Sequence, residues 1–145
     1  MLVAAAELWG SRLVVTRGRL WDIGLLDGFI AVQEDGFAGG LTYRLDGGEM
    51  ELVTLNSEIR FIGVGGALLS RAVEQAKRHF CRRIWLITTN DNLDALRFYQ
   101  RRGFRLAAIY PGAIGELRKI KPSIPMIGEF GIEICDEIEL EMLLT

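Results

Sequence analysis

The sequence predicts a mixed α/β (α+β) fold in which a mostly antiparallel, twisted sheet is flanked by two main helices. Three observations predict this class. Short β segments divided by turn signals occupy residues 12–58, and the hydrophobic period then changes to that of a helix. A continuous apolar run of strand length follows at residues 84–87. This order is typical of an antiparallel meander followed by a strand-helix-strand crossover.

The composition favours one compact domain over residues 1–145. Half of the 145 residues are hydrophobic, which is enough to bury a core. The formal net charge is -2 and neither sign gathers into a long block, so we expect no nucleic-acid and no membrane partner. No apolar run reaches the roughly 20 residues that cross a bilayer. Cys81 and Cys135 lack metal-ligand spacing and no leader precedes the first strand, which favours a soluble, cytoplasmic protein without a metal.

The first half of the chain predicts an antiparallel meander. Turn signals at residues 34–36 and 46–48 contain glycines, which take the positive φ that tight hairpin turns require. The predicted strands between these signals are residues 13–16, 28–32, 40–45 and 49–55.

Two helices are predicted in the second half. The first follows Gly65 and has about four turns. Its apolar face consists of Leu68, Leu69, Ala72, Val73, Ala76 and Phe80. The second covers about residues 93–102, with N-cap candidates before it and Gly103 in the position of a terminating glycine. The N-cap candidates are Asn90, Asp91 and Asn92, and the apolar face is Ala95, Leu96, Phe98 and Tyr99.

The last third predicts strands around a long loop. A strand at residues 104–110 is followed by residues 111–131, which hold all three prolines and which we interpret as an extended binding loop or lid. Residues 132–134 and 138–142 alternate apolar and acidic side chains. This alternation predicts strands with one face in water.

The segment 60–66 suits a diphosphate, because it joins a strand to the start of a helix. Glycines let the backbone approach phosphate oxygens, and the amide hydrogens of a first helical turn point at an anion. Arg60 adds a charge-assisted contact. The full segment reads Arg60-Phe61-Ile62-Gly63-Val64-Gly65-Gly66.

Other interpretations of this segment are a connection that binds nothing and two other nucleotide sites. A P-loop needs Gly-Lys followed by Ser or Thr, but Gly65 is followed by Gly66 and Ala67, so that interpretation fails. A dinucleotide fingerprint needs Gly or Ala where Leu68 stands. That site is disfavoured, although Asp91 could imitate its ribose-binding acid.

Two motifs together resemble the GCN5-related N-acetyltransferase (GNAT) superfamily. They are Arg60-x-x-Gly63-x-Gly65 and, about 25 residues later, Asn92-x-x-Ala95-x-x-Phe98-Tyr99-x-x-x-Gly103-Phe104. The resemblance extends over about residues 28–110. It implies a mixed sheet that splays open between the strand ending near Leu55 and the strand at Ile84, with the cofactor in the opening.

The resemblance implies acetyl-CoA (coenzyme A) as cosubstrate and assigns residues to it. The loop residues that hold the pyrophosphate are Arg60, Ile62, Gly63, Val64, Gly65 and Gly66. The backbone of Val53 and Leu55 pairs with the pantetheine amides, and the Asn92 amide hydrogen-bonds the same arm. Tyr99 protonates the departing thiolate. A core position for Tyr99 and a helix cap at Asn92 are the corresponding structural interpretations.

The implied reaction is direct attack of a neutral primary amine on the thioester, in a ternary complex. An aqueous primary amine has a pKa of about 10.4, so its deprotonation near neutral pH needs a positioned carboxylate or water. The candidates are Glu49, Glu51 and Glu58, of which Glu51 is the first choice. A solvent-facing strand edge is the other explanation for these acids.

The predicted function is therefore N-acetylation of a small-molecule or peptide amine. A non-catalytic module of the same fold that binds or senses acyl-CoA is the alternative. Phe61 and Ile62 stand where the family usually has small or basic residues, and segment 17–27 is too short for the two helices that commonly shape the acceptor site. We expect loop 111–131 to replace them. Trp9, Trp21 and Trp85 are interpreted as core or subunit-contact residues, which is compatible with a homodimer.

Overall fold

The computed structural model describes residues 13–16, 19–22, 26–33, 36–57 and 63–144. Glu58, Arg60, Phe61 and Ile62 therefore lie outside the described residues, as do residues 34 and 35 of the predicted turn at 34–36. Within the described part, the mixed α/β class is confirmed, with eight strands and three helices.

Six of the strands form a mostly antiparallel sheet and the first two form a separate two-stranded sheet. The strands are β1 (Leu13–Thr16), β2 (Arg19–Asp22), β3 (Asp27–Gln33), β4 (Gly36–Asp46), β5 (Glu49–Ser57), β6 (Arg83–Thr89), β7 (Arg105–Tyr110) and β8 (Glu137–Leu143). The helices are α1 (Val64–Arg78), α2 (Leu93–Arg101) and α3 (Ala113–Ile120). Every strand that the sequence predicts is present except 132–134, and β2 was not predicted.

The described chain divides into two compact units. The first contains β3, β4, β5, α1 and the start of β6 up to Ile84. Its strands have the order β3-β4-β5, paired antiparallel as the meander prediction requires. The second contains β6 from Trp85, α2, β7, α3 and β8 up to Met142, with the strand order β6-β8-β7.

The turn between β4 and β5 confirms the predicted hairpin. Gly47 and Gly48 have φ of 58° and 79°, the left-handed values of a tight two-residue hairpin turn. Arg82, which directly precedes β6, holds this turn. Its side chain donates to the Gly47 carbonyl at 2.7 Å and its amide donates to the Gly48 carbonyl at 2.8 Å. The turn thus has both local and long-range support.

Helix α1 covers the core face of the first unit. The buried helix residues are Val64, Gly65, Leu68, Leu69, Ala72 and Ala76, which agrees with the predicted apolar face except at one end. Phe80 was predicted on that face, and this is wrong. The helix ends at Arg78 with His79 as its C-cap, and Phe80 then adopts φ 56° and is 92% exposed.

The predicted long loop 111–131 is wrong in its first half, because it contains α3. Gly112 precedes the helix with φ 72°, and Ile114 and Leu117 face inward and pack with Ile134. The spacing of Ile114 and Leu117 was a helical signal that the surrounding prolines and glycines obscured.

The remainder of that loop is a short hairpin rather than a loop followed by a strand. Residues 126–128 run antiparallel to residues 132–134, with Ile127 opposite Glu133. The amide of Gly128 donates to the Ile132 carbonyl at 2.8 Å, and the amide of Ile134 donates to the Met126 carbonyl at 2.9 Å. We call residues 126–134 the tip hairpin.

The prediction that one face of β8 lies in water is also wrong in part. Glu137 is buried, and the other two acids are half-buried and paired with β7. Glu139 accepts from the Tyr110 hydroxyl at 2.9 Å, and Glu141 accepts from Arg105 at 2.7 Å. These acids are part of the fold of the second unit.

Candidate active site

The glycine-rich segment ends at the start of α1, as predicted. Gly63 is the N-cap with φ 90°, a conformation that strains any other L residue. The Ala67 amide donates to the Gly63 carbonyl at 3.0 Å, which is the first bond of the helix. The amides of Val64, Gly65 and Gly66 precede that bond, and no side chain caps the helix at Gly63. This is the geometry of an anion-binding helix start.

Strand β5 has an irregularity at Val53. Thr54 is opposite Thr42 and Leu52 is opposite Tyr43, so Val53 is the extra residue of a bulge and has no partner on β4. Leu55 is opposite Leu41 in the regular part of the ladder. A bulge bends its strand and frees local backbone groups, a common feature beside binding sites.

Glu51 lies in a row of polar side chains on the face of β4 and β5 that is opposite α1. It is 4% exposed and its Oε1 lies 3.4 Å from the Arg44 guanidinium. In the same row, the hydroxyls of Thr42 and Thr54 are hydrogen-bonded at 2.5 Å. The interpretation of Glu51 as a solvent-facing residue is therefore wrong, because its carboxylate is enclosed.

Glu49 has a structural role. Its two carboxylate oxygens pair with Arg82 at 2.8 Å and with Arg83 at 3.0 Å. These contacts join β5 to the start of β6 within the first unit. Three acids are candidate bases. Glu49 pairs with two arginines and Glu58 lies outside the described residues, so Glu51 is the candidate that remains.

Tyr99 is buried on the inner side of α2. Its ring contacts Phe98 and Phe104 edge-on, with centroids 5.0 and 5.3 Å apart. Burial raises the pKa of the Tyr99 phenol far above its ordinary value, and no hydrogen bond or charge contributes to the shift. Its hydroxyl forms no hydrogen bond with any residue in the described part of the chain.

Asn92 caps α2. Its Oδ1 accepts from the Ala95 amide at 3.2 Å, and its Nδ2 donates to the Thr88 hydroxyl at 3.2 Å. The structural interpretation of Asn92 is thus confirmed. A side-chain amide can make four hydrogen bonds, so capping and a contact with a ligand are compatible.

The predicted residues fall into two groups, one in each unit. Val53, Leu55, Glu51 and 63–66 belong to the first unit, whereas Asn92 and Tyr99 belong to the second.

Asp91, which the sequence offers as an N-cap candidate of α2 and as an imitation of a ribose-binding acid, has a different role, since Asn92 is the cap. The buried carboxylate of Asp91 accepts from the Thr89 hydroxyl at 2.5 Å and from the Glu129 amide at 3.0 Å. It therefore belongs to the internal hydrogen bonding of the second unit rather than to a ribose site. No local sequence pattern indicates this contact, because Glu129 is 38 positions away.

The described residues also contain two cysteines and other residues of metal-binding type. No group of three or more His, Cys, Asp or Glu with metal-binding geometry occurs among them. Cys81 and Cys135 are free, and burial raises the pKa of both thiols. Within the same residues, no helix has the length and apolar character needed to cross a membrane.

The glycine helix start, the capped second helix and the mixed sheet are the elements that the two motifs imply. The model of the acetyltransferase (GNAT) family matches residues 9–104, and the chain belongs to this family. The resemblance inferred from the two motifs is therefore confirmed.

Relatives agree with this assignment. YdhI, an uncharacterised protein of Bacillus subtilis (strain 168), is 45% identical over 134 residues, which are 92% of this chain and 84% of YdhI. A Bacillus subtilis acetyltransferase in complex with CoA has a TM-score of 0.71 and 25% identity, with 85% of this chain and 80% of that chain covered.

A GNAT family acetyltransferase from Elizabethkingia anophelis with acetyl-CoA bound has a TM-score of 0.68 and 28% identity, covering 79% and 74% of the two chains. Family membership and these two likenesses support acetyl transfer and CoA binding in general terms.

Proposed function

We propose that this protein transfers the acetyl group of acetyl-CoA to a primary amine of a small molecule or peptide, by direct attack in a ternary complex. The observation that supports this most is Tyr99. A buried phenol without a protein hydrogen-bond partner among the described residues, in a family of acetyltransferases, suits contact with a ligand group. The sulfur of the departing CoA is the group we assign to it.

In this proposal the glycine segment holds the pyrophosphate. The amides of Val64, Gly65 and Gly66 donate to phosphate oxygens, and the positive end of α1 stabilises their charge. Arg60 and Ile62 complete the loop, and the backbone at Val53 and Leu55 pairs with pantetheine, as does the Asn92 amide. The bulge at Val53 supports a ligand beside β5.

The proposed chemistry has one bond formed and one broken at the thioester carbon. The amine nitrogen bonds to the carbonyl carbon, the carbon-sulfur bond breaks, and CoA leaves with the sulfur electron pair. The nitrogen loses its second proton to water as the amide forms, and the thiolate, which accepts a hydrogen bond from the Tyr99 hydroxyl, takes up a proton from solvent. Because burial raises the pKa of Tyr99, the phenol is a weak acid, and we expect its hydrogen bond to the thiolate to contribute more than complete proton transfer.

Glu51 is the proposed base for the ammonium proton. Its enclosed position and its contact with Arg44 fix the direction of the carboxylate. The same contact favours the second candidate function, an acyl-CoA-binding module without turnover, because a carboxylate held by a guanidinium can be purely structural. The two functions differ in one measurable property, release of free thiol in the presence of amines.

The raised thiol pKa values of Cys81 and Cys135 support direct attack, because a thiol that stays protonated is a poor nucleophile for an acyl-enzyme route. As free thiols they also support the proposed cytoplasmic location. The homodimer stays a prediction, since Trp9 and the Trp21 side chain lie outside the described residues.

Thermal denaturation with nucleotides and an assay for free thiol test the proposal. We expect acetyl-CoA to raise the melting temperature, whereas NAD and ATP leave it unchanged, because only the CoA ligand engages both the helix start and β5. Primary amines should then release CoA thiol. An unchanged melting temperature at saturating acetyl-CoA would contradict the cofactor assignment, and a shift without thiol release from any amine would favour the binding module.

A further inference from the structure

The tip hairpin, residues 126–134, is held in place by three polar side chains from elsewhere in the second unit. Asn90 donates to the Glu133 carbonyl at 2.9 Å and accepts from the amides of Cys135 and Asp136, both at 3.0 Å. Arg118 of α3 donates to the carbonyls of Pro125 and Ile134 at 2.9 and 2.8 Å. The third side chain is that of Asp91. The hairpin therefore has a fixed position, although most of it is exposed.

Asp91 connects the tip of this hairpin to the start of α2. Its carboxylate accepts from the Glu129 amide at 3.0 Å, and its carbonyl accepts from the Leu93 amide at 2.9 Å. Gly128 lies against the same carboxylate, since a Cβ on Gly128 would overlap Asp91 Oδ2. The tip thus lies beside Asn92, the residue that follows Asp91 and caps α2.

The tip exposes apolar side chains. Phe130 is 65% exposed, and Met126 and Ile127 are each 57% exposed. Phe130 also has φ 60°, which is uncommon for an aromatic residue. An exposed aromatic side chain on a backbone that is held in place, next to other exposed apolar side chains, is a feature common at binding sites.

The charged residues of this segment are all acidic. Residues 125–136 contain three acids, Glu129, Glu133 and Asp136, and no Lys, Arg or His. Both glutamates are exposed. An ammonium group attached to an aromatic or other large apolar group is complementary to such a surface, since the acids attract the cation and Phe130 covers the apolar part.

We infer that the tip hairpin selects the acceptor, and that the acceptor is an amine bearing an aromatic or similarly large apolar substituent. The inference rests on the proposed function, which locates the thioester near Asn92 and Tyr99. Phe130 is then a specificity-determining residue that contacts the substituent while the amine is directed at the thioester. The acids of the hairpin raise the local concentration of the ammonium form before its deprotonation.

A selectivity measurement with a matched pair of variants tests this. The quantity is the ratio of kcat/KM for 2-phenylethylamine to that for ethylamine, from release of CoA thiol. The variants are Phe130→Asn and the control Phe80→Asn. Phe80 is also exposed and has φ 56°, and asparagine tolerates this conformation, so both changes remove an exposed ring without new backbone strain.

We expect the wild-type ratio to exceed one by at least about tenfold, as for a substituent that fills an apolar site. Phe130→Asn should lower it about tenfold, Phe130→Tyr should keep it, and Phe80→Asn should leave it unchanged. The inference is overturned if the wild-type ratio is near one, or if Phe130→Asn leaves the ratio unchanged. Acetylation of either amine still upholds the proposed function in that case. If the wild type acetylates neither amine nor any other, the proposed function falls and this inference with it.

Discussion

Phe80 and Phe130 are both phenylalanines with a left-handed backbone conformation. The turns in which they lie are supported by different contacts. Phe80 follows α1, where the Cys81 amide donates to the Ala76 carbonyl at 2.9 Å and the Phe80 amide donates to the Lys77 carbonyl at 3.1 Å. This is the ordinary way in which a helix ends, and it needs a left-handed residue. Phe130 lies in the reversing turn of the tip hairpin, where Gly131 also has a positive φ of 72° and the Ile132 amide donates to the Glu129 carbonyl at 3.1 Å. Asp91 supports this turn from a distant part of the chain.

The two turns differ in how much support they have from distant parts of the chain. The turn at Phe80 follows from the end of its own helix, whereas the hairpin that carries Phe130 has, besides its local turn hydrogen bond, contacts with residues 90, 91 and 118.

Among the substitutions that test this comparison, Gly128→Ala is expected to change the free energy of unfolding most. The new Cβ would overlap Asp91 Oδ2 and would lie 2.6 Å from Ile134 Cγ1, so the tip must move away from α2. We expect the free energy of unfolding to fall by about 2 kcal/mol, the cost of overpacking a close contact. Urea denaturation measures this change.

Gly115→Ala is the matched control. Gly115 lies within α3, a Cβ added there would meet nothing within 4 Å, and its φ is not positive. There the same substitution should raise the free energy of unfolding by about 0.5 to 1 kcal/mol through helix propensity. Equal effects of the two substitutions would show that the hairpin is not held against Asp91.

Replacement of the two phenylalanines should have a smaller effect on the free energy of unfolding. This prediction concerns stability rather than selectivity. Phe80→Asn should raise the free energy of unfolding by about 0.5 kcal/mol, because asparagine is favoured after a helix end and the lost ring was almost fully in water. Phe130→Asn should raise the free energy of unfolding by less, because the Phe130 ring is partly covered. Thermal denaturation of both variants without ligand measures the difference, and a marked loss of stability in Phe80→Asn would contradict our account of that turn.

The parts of the fold that the sequence predicted are those with local signals. Asn92 and Gly103 mark the two ends of α2, and both ends are where the sequence places them to within one residue. Gly47 and Gly48 similarly determine the β4–β5 turn. In each case the residues that fix the conformation lie in the same short segment, so the pattern is sufficient.

The parts that were missed depend on distant partners or on competing local signals. Phe80 fits the apolar spacing of α1, but the helix ends before it. The tip hairpin needs Asn90, which is 45 residues from Cys135, and no sequence pattern links those positions. The prolines and glycines of residues 111–131 favoured a loop, although α3 packs Ile114 and Leu117 inside that segment.

For the candidate site, the sequence predicted the glycine helix start and the capped helix with Tyr99, because both belong to contiguous motifs. It did not predict that Glu51 is buried beside Arg44, since that pairing comes from the register of β4 and β5. It also did not predict the absence of a protein partner for the Tyr99 hydroxyl among the described residues, which is a property of the packed structure.

The most direct test of the central claim is the rate of acetyl transfer by Tyr99→Phe, measured as kcat for an amine that the wild type acetylates. Removing only the hydroxyl keeps the ring contacts with Phe98 and Phe104, so folding and the shift of melting temperature by acetyl-CoA should persist. We predict a fall in kcat of about a hundredfold, the usual contribution of a positioned proton donor. An unchanged kcat would contradict the assignment of Tyr99 to the leaving thiolate.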